Sequence, residues 1–226
     1  AALGAVFALA LAGTALAAGD TYTWKDSAPS ETWDDSNNWT KSDGGTGYPG
    51  AGDTAIFTKS AKITVLGTPS KVKELKFAGS GNVTLTVDAV SSQYLEVERI
   101  KVANNTQAKI DSGNQIIVSD GSNSPIEVVG SGATLTIAST APFEGVGSLK
   151  LSGGGTLDSK VPVIMVTGLE ITGGSTLIVN AADALPNLTG TALSITNGNL
   201  TLNQPLKSNI KTITVTNGVL TVADAG

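Results

Sequence analysis

The feature that most constrains the fold is a short repeat in which two alternating apolar segments flank a turn rich in glycine and asparagine. The clearest copies begin at positions 149, 169, 193 and 213, at intervals of 20, 24 and 20 residues. Within each copy, aliphatic residues alternate with Thr, Ser, Lys or Glu, and this period of two predicts strands with one inward and one outward face. Self-similarity at such a spacing is typical of solenoids or propeller blades.

Two all-β architectures fit the repeat. If each Asn-Gly or Gly-Gly pair closes a hairpin, the repeats form an antiparallel β-sandwich or barrel. If each pair forms a corner, the repeats stack as a parallel β-helix, or β-solenoid, with rungs about 4.8 Å apart. We favour the solenoid, because the segments between repeats vary in length while the paired segments do not. The aliphatic positions also recur at the same place in every repeat, which would align them into interior columns.

The first part of the chain lacks the repeat and holds all three tryptophans, Trp24, Trp33 and Trp39. The end of a solenoid exposes unpaired backbone and apolar interior, so terminal units need covers. Large rings cover much area with few residues. We therefore predict an aromatic-rich N-terminal cap and first coil over residues 18–70, followed by solenoid repeats over residues 71–226. The chain stops just after a predicted strand, which suggests a fragment of something longer.

Residues 3–16 are apolar with small residues interspersed, and the polar pair Gly19 and Asp20 follows soon after. This pattern is typical of the hydrophobic region and cleavage site of a secretory signal peptide, so residues 1–17 are predicted to be removed after Ala17. The apolar run is too short to predict a membrane span. We therefore expect a secreted or cell-surface protein with no stable membrane span after the signal is removed.

Composition excludes several functional classes. The chain has no Cys and no His, which rules out disulfides, thiolate chemistry, His-dependent triads and His-ligated zinc. Its net charge is −5, and Arg99 is its single arginine, so no basic face is predicted to neutralise phosphates. Nucleic-acid binding is accordingly not expected.

The N-terminal region also resembles a known family. Tyr22-Thr-Trp24, a Trp33-to-Trp39 segment ending in Asn-Trp, and a Pro-Gly-Ala-Gly-Asp-Thr-Ala-Ile-Phe run ending at Phe57 are similar to the start of secreted bacterial proteins with autotransporter-associated β-strand repeats. The Gly/Thr/Asn-rich repeats, such as the one over residues 195–202, are similar to that family's repeats as well. The resemblance spans residues 20–226 and implies a right-handed parallel β-helix that is displayed on, or released from, a bacterial surface.

Two candidate sites lie in the cap. Asp34, Asp35 and Asn37 form an oxygen-rich cluster of the kind that calcium favours, although the spacing does not match an EF-type loop. Turn and Asx-capping chemistry is the simpler interpretation of this cluster. Asp53 is expected to cap the turn that leads into residues 54–57. Trp33, Trp39 and Tyr48 could instead stack against a sugar, with Trp33 the best candidate, but we prefer a buried cap for these rings.

No catalytic residue is predicted, because acids in the repeat region occur singly whereas lyase and hydrolase sites need clustered carboxylates. The leading hypothesis is a non-enzymatic structural or adhesive solenoid that serves as a surface stalk, an exported passenger segment or a filament subunit. Its partners would be other copies, associated end to end, or surface glycans, and it would need no cofactor apart from the calcium alternative. A carbohydrate-binding module and, less favoured, a polysaccharide lyase remain as alternatives.

Overall fold

A computed structural model describes residues 19–65, 70–89, 94–113, 115–121, 123–145, 148–165, 168–181, 192–204 and 212–223. The predicted signal segment, residues 1–17, lies outside this part of the chain. Regular structure in the described residues consists of β-strands and one short 3-10 helix, Ser36–Asn38. The predicted all-β class is confirmed.

Two large sheets run side by side along the molecule. In spatial order the first sheet comprises β2 (Trp39–Lys41), β1 (Thr21–Trp24), β3 (Thr54–Phe57), β5 (Ser70–Phe77), β7 (Leu95–Val102), β10 (Asn123–Val128), β13 (Ser148–Ser152), β16 (Gly168–Thr172), β18 (Ala192–Thr196) and β20 (Thr212–Thr216). The second sheet comprises β4 (Ala61–Val65), β6 (Gly81–Ala89), β8 (Thr106–Ser112), β11 (Thr134–Ile137), β14 (Thr156–Ser159), β17 (Thr176–Val179), β19 (Asn199–Leu202) and β21 (Val219–Val222).

A third side of the coil, which the repeat did not predict, is built from shorter segments. These are β9 (Ile116–Val118), β12 (Phe143–Gly145) and β15 (Val163–Met165). They continue a parallel stack that begins with residues 70–72 of β5 and residues 95–97 of β7. In the described part of the chain, five successive turns therefore have three sides.

The pairing direction decides between the two predicted architectures. β18 pairs in parallel with β16 and β20, and β19 pairs in parallel with β17 and β21. Ile195 therefore lies beside Ile171, and Leu200 lies beside Leu177, each across one rung. The Asn-Gly pair between β18 and β19 is a corner and not a hairpin. The parallel β-solenoid is confirmed, and the antiparallel sandwich is wrong.

The interior is a continuous aliphatic column. In the second sheet, Leu135, Leu157, Leu177 and Leu200 stack on successive rungs and are fully buried. Burying one such side chain stabilises the fold by about 1.5–3 kcal/mol relative to leaving it exposed. The alternation seen in the sequence thus supplies one buried aliphatic residue to the same column on each of these four turns.

Asn-Gly corners separate the two sheets at residues 197–198 and 217–218. Asn197 and Asn217 have φ values of 51° and 49°, in the left-handed region that Asn tolerates better than most residues. Gly198 follows because a Cβ atom at this position would lie 2.7 Å from Cγ2 of Ile171. The corner therefore needs a residue that accepts positive φ, followed by one without a side chain.

Candidate functional site

The N-terminal cap, which we define as residues 19–53, covers the first edge of both large sheets. β1 pairs in parallel with β3 and antiparallel with β2, so β2 becomes the outer strand of the first sheet. The second sheet is covered by residues 31–33, because the amide of Trp33 donates to the carbonyl oxygen of Thr64 at 3.1 Å and the amide of Thr64 donates to that of Glu31 at 2.6 Å. The predicted cap is therefore present and satisfies backbone groups on both edges.

The aromatic residues of the cap form one cluster that is continuous with the solenoid interior. Trp39 lies at its centre and meets Trp24 and Trp33 edge to face, with ring centroids 5.0 Å away in both pairs. Phe57 contacts both Trp24 and Trp39, and it contacts Phe77 of the next rung with a centroid distance of 6.2 Å. Aromatic pairs of this geometry add about 0.5–1.5 kcal/mol each beyond the area that they bury.

The indole N–H groups of two tryptophans also donate hydrogen bonds inside the cap. Nε1 of Trp33 donates to the carbonyl oxygen of Pro49 at 3.1 Å, and Nε1 of Trp39 donates to that of Trp33 at 2.8 Å. Trp33 and Trp39 are 2% and 3% exposed, so neither ring has a free face to stack against a sugar. The sugar-stacking role considered for these two tryptophans is wrong. Tyr48 is 48% exposed, and a stacking role there stays a prediction.

Asn38 is the polar residue of the cap whose importance the sequence pattern missed. Its side chain is fully buried, its Nδ2 donates to Oγ of Ser30 and to the carbonyl oxygen of Thr32, and its Oδ1 accepts from the amide of Ser30. These contacts tie Ser30 and Thr32, which lie beside and within the segment that covers the second sheet, to the start of β2. An Asn directly before a strand that begins with Trp is the sequence signal that could have identified this role.

In the predicted calcium cluster, the carboxylate of Asp35 is held by hydrogen bonds from neighbouring residues of the cap. Oδ1 of Asp35 accepts from the amide and Nδ2 of Asn37, and its Oδ2 accepts from Oγ of Ser30 at 2.8 Å, so this carboxylate caps the 3-10 helix. The hydrogen bond from the Asn37 amide, followed by that from Ser30, lowers the pKa of Asp35. Asp34 and Asn37 are exposed. The Asx-capping interpretation is confirmed, and no group of three acidic residues able to hold a metal ion occurs in the described residues.

Asp53 closes the loop that leads into β3. Its Oδ1 accepts from the amide of Asp20 at 2.8 Å, and its Oδ2 accepts from the amide of Gly50 at 2.9 Å. Its carbonyl oxygen also accepts from the amides of Lys73 and Glu74 in the next turn. The predicted turn cap is confirmed, and the same residue joins the cap to the first complete turn of the solenoid.

A charged cluster lies beside the outer strand of the first sheet. Nζ of Lys41 lies 2.9 Å from both Asp20 and Asp43, and its side chain is mostly covered. The hydrogen bonds to Asp43 and Asp20 raise the pKa of Lys41, and Lys41 in turn lowers that of Asp43. Charge beside an edge strand discourages pairing with other chains, so this cluster protects the exposed side of β2.

Along the solenoid, several charged side chains on the outer surface pair across neighbouring rungs, and Lys62 bridges both Glu31 and Asp88. Examples are Lys71 with Glu96 at 2.8 Å, Lys101 with Glu127 at 2.8 Å and Lys150 with Glu170 at 3.5 Å. Exposed pairs of this kind contribute about 0–1 kcal/mol each. These pairs neutralise the surface locally. In each of the three, the lysine contacts one carboxylate.

The second sheet carries hydroxyl groups on its outer face. Thr134, Thr156 and Thr176 occupy equivalent positions on three successive rungs, and Asn199 follows them in the same column. Threonine favours strands and leaves a hydroxyl in water, so this column gives a flat and uncharged surface.

A shallow groove crosses the first sheet where Pro125 interrupts a column of longer side chains. It is bordered by Glu74, Arg99, Lys101 and Glu127 and has a volume of about 210 Å³. Sites that enclose small molecules usually measure about 300–1,000 Å³. Three of the four charged residues on this rim are paired, Lys101 with Glu127 and Arg99 with Asp120 at 3.6 Å. The groove is therefore smaller than such sites, and most of its charged side chains are already engaged.

Comparison of the chain with protein-family models, with curated proteins and with solved structures finds no significant match. The resemblance to secreted proteins with autotransporter-associated repeats thus stays a prediction. In the part of the chain that the structure describes, no helix has the length and apolar character needed to cross a membrane.

Proposed function

We propose that this chain is a non-catalytic, extracellular β-solenoid with a structural or adhesive role, as a surface stalk or an exported passenger segment. The observation that carries the proposal is the chemical difference between the interior of the coil and its outer surface. A buried aliphatic column runs through the turns, while the outer positions hold threonine, asparagine and paired charges. Such a molecule is a stiff rod with a hydrated surface, which suits a spacer or an adhesive scaffold.

The arrangement of the acids supports a role without catalysis. Glycoside hydrolysis uses two carboxyl groups held on either side of one bond. Here Glu96, Glu127 and Glu170 each engage a lysine on a neighbouring rung. Each of these carboxylates therefore faces a cation and not a second carboxyl group across a bound substrate.

Three measurements on the purified chain test this proposal: polymer turnover, bead adhesion and single-molecule stretching. Incubation with polygalacturonate and with alginate should give no rise in the ultraviolet absorbance of unsaturated uronates and no new reducing ends. Beads coated with the chain should adhere to a panel of polysaccharide films, or to one another, more strongly than beads coated with an unrelated soluble protein. Turnover of either polymer, or a complete lack of adhesion together with unfolding at low force in single-molecule stretching, would refute the proposed role.

Export can be tested separately. Residues 1–20, with an initiator Met added, would be fused to an alkaline phosphatase that lacks its own signal and is active only outside the cytoplasm. We expect activity from this fusion and none when the apolar run is interrupted by Leu9→Arg and Leu11→Arg. An inactive, cytoplasmic fusion would contradict the extracellular assignment.

A second candidate function, carbohydrate binding, is supported by Tyr48. Its ring is exposed, and the adjacent Pro49 is anchored through its carbonyl oxygen to Nε1 of the buried Trp33. An exposed ring on an anchored loop can stack against a sugar at low entropic cost. Glycan-array binding that is lost in Tyr48→Ala and kept in Asp34→Ala, an exposed change elsewhere in the cap, would favour this function, and binding that survives Tyr48→Ala would exclude it.

A further inference from the structure

The shallow groove on the first sheet lies where a proline occupies a strand that is paired on both sides. Pro125 belongs to β10, which pairs with β13 over residues 123–127 but with β7 only from Ile126 onward. Proline has no amide to donate to a ladder and is seldom found inside a sheet. Its short ring also stands between two long side chains of the same outer column, Arg99 and Lys150. The outer surface therefore has a gap at this rung.

Arg99 lines this gap and carries a hydrogen-bond donor that has no acceptor. Its Nη2 lies 3.6 Å from Oδ2 of Asp120, which holds one end of the guanidinium group. Its Nε is buried and makes no hydrogen bond in the described part of the chain. A buried donor without an acceptor is destabilising, so buried polar groups in folded proteins nearly always have a partner. An acceptor atom supplied by a ligand in the groove would satisfy it.

Glu74 places an acceptor beside that donor. It lies next to Arg99 on the preceding turn, in the same outer column, and adjacent rungs are about 4.8 Å apart. The cation of Arg99 is paired with Asp120 instead, and no ion pair among the described residues engages Glu74. The groove therefore presents one unused donor and one unused carboxylate on neighbouring rungs.

The chemistry of the groove favours an uncharged ligand with several hydroxyl groups. Its rim holds two cations and two anions, so a charged ligand of either sign would meet like charge. These residues are Arg99, Lys101, Glu74 and Glu127. The volume of about 210 Å³ is below the range for drug-sized ligands and suits one small ring. A pyranose ring has hydroxyl groups around its edge, which both donate and accept, and C–H groups on its faces, which pack on apolar surfaces such as the ring of Pro125.

We propose that this groove binds one neutral sugar ring of a surface polysaccharide. Nε of Arg99 donates to a hydroxyl oxygen of the sugar, and a neighbouring hydroxyl donates to the carboxylate of Glu74. The C–H face of the same sugar packs on Pro125. This inference rests on the adhesive role proposed above and names the ligand of that role, at a site on the first sheet that is separate from Tyr48 in the cap.

Surface plasmon resonance of the whole chain over immobilised dextran, mannan, laminarin, galactan and polygalacturonate tests the site. We expect binding to at least one of the four uncharged polymers, and weaker binding to polygalacturonate. Arg99→Lys keeps the positive charge but removes the Nε donor, and Glu74→Gln removes the charged acceptor. Each should raise the dissociation constant for the bound polymer about tenfold, because each removes a hydrogen bond to a charged group.

Two further variants make the test specific to the groove. Pro125→Gln fills the gap with an uncharged side chain and should abolish binding. Glu170→Gln is the matched control for Glu74→Gln, because Glu170 lies in the same outer column but outside the groove, and it should leave binding unchanged.

Several outcomes would overturn the sugar assignment. These are no binding to any of the four uncharged polymers, stronger binding to polygalacturonate, or binding that survives Pro125→Gln. Binding that is lost in Tyr48→Ala and kept in Pro125→Gln would place the sugar in the cap instead. If beads coated with the chain still adhere to other films or to one another, the adhesive role stands while the sugar assignment fails.

Discussion

The indole nitrogen of Trp39 donates a hydrogen bond to the main-chain carbonyl oxygen of Trp33 at 2.8 Å, while the two rings meet edge to face. This contact joins the segment that covers the second sheet to the strand that extends the first. One pair of residues thus links the covers of both sheet edges.

We expect Trp39→Phe to destabilise the protein in urea unfolding. The change removes the donor to a buried carbonyl oxygen, which costs about 1–3 kcal/mol, and it adds the cost of the cavity left by the smaller ring. Tyr48→Phe, at an exposed aromatic position of the same cap, should change the free energy of unfolding by no more than about 0.5 kcal/mol. Equal effects of the two changes would mean that the aromatic cluster does not support the fold.

Asn38→Ala should be among the most damaging polar substitutions in the cap. It leaves the carbonyl oxygen of Thr32 and the amide of Ser30 without their buried partner, at about 1–3 kcal/mol for each group. Asn37→Ala, at the adjacent exposed residue, removes only a side-chain bond to Asp35 and should cost far less. The comparison can be made from thermal melts, and a smaller loss in Asn38→Ala than in Asn37→Ala would contradict the assignment.

The corner geometry predicts a position-specific effect of adding one methyl group. Gly198→Ala would bring a Cβ within 2.7 Å of Ile171 and 3.0 Å of the carbonyl oxygen of Ser175, so the rung must shift. Overpacking of this kind costs about 1–3 kcal/mol. Gly52→Ala, which meets no atom within 4 Å, should be neutral or slightly stabilising in the same denaturant titration. A neutral Gly198→Ala would show that the corners are looser than described.

Acid should weaken the cap through its carboxylates. The Asn37 amide holds the pKa of Asp35 below its ordinary value, and Lys41 does the same for Asp43. A group with a lowered pKa contributes stability that is present above its unfolded pKa, near 3.9, and is lost as the pH falls through the folded pKa. Melting temperatures should therefore drop below about pH 4, and part of that drop should disappear in Asp35→Asn.

The matched control for this pH effect is Asp34→Asn, at the exposed neighbour of Asp35. We expect it to keep the wild-type dependence of melting temperature on pH. If Asp35→Asn and the wild-type chain lost stability over the same range and by the same amount, the capping carboxylate would not be the group that responds to acid.

Features that depend on interactions between residues close in the chain could be predicted from the sequence, whereas features that depend on contacts between turns could not. The alternation around Leu149 to Leu202, the turns at the Asn-Gly pairs and the tryptophan-rich cap could all be predicted, because strand faces, positive φ and the need to cover an edge depend on local chemistry. The turn roles of Asp35 and Asp53 were predictable for the same reason, since each carboxylate accepts an amide within three residues along the chain.

The sequence by itself determined that the chain forms short two-faced strands separated by glycine- and asparagine-rich turns, with an aromatic cover at its start. Only the tertiary structure decided that the strands stack in parallel, that Ile116–Val118 and its equivalents make a third side, and that Trp33 is buried while Tyr48 is exposed. The physical reason is that these features depend on hydrogen bonds and contacts between turns about twenty residues apart. A local pattern specifies which residues prefer the interior, but the partner across the rung settles which of them reach it.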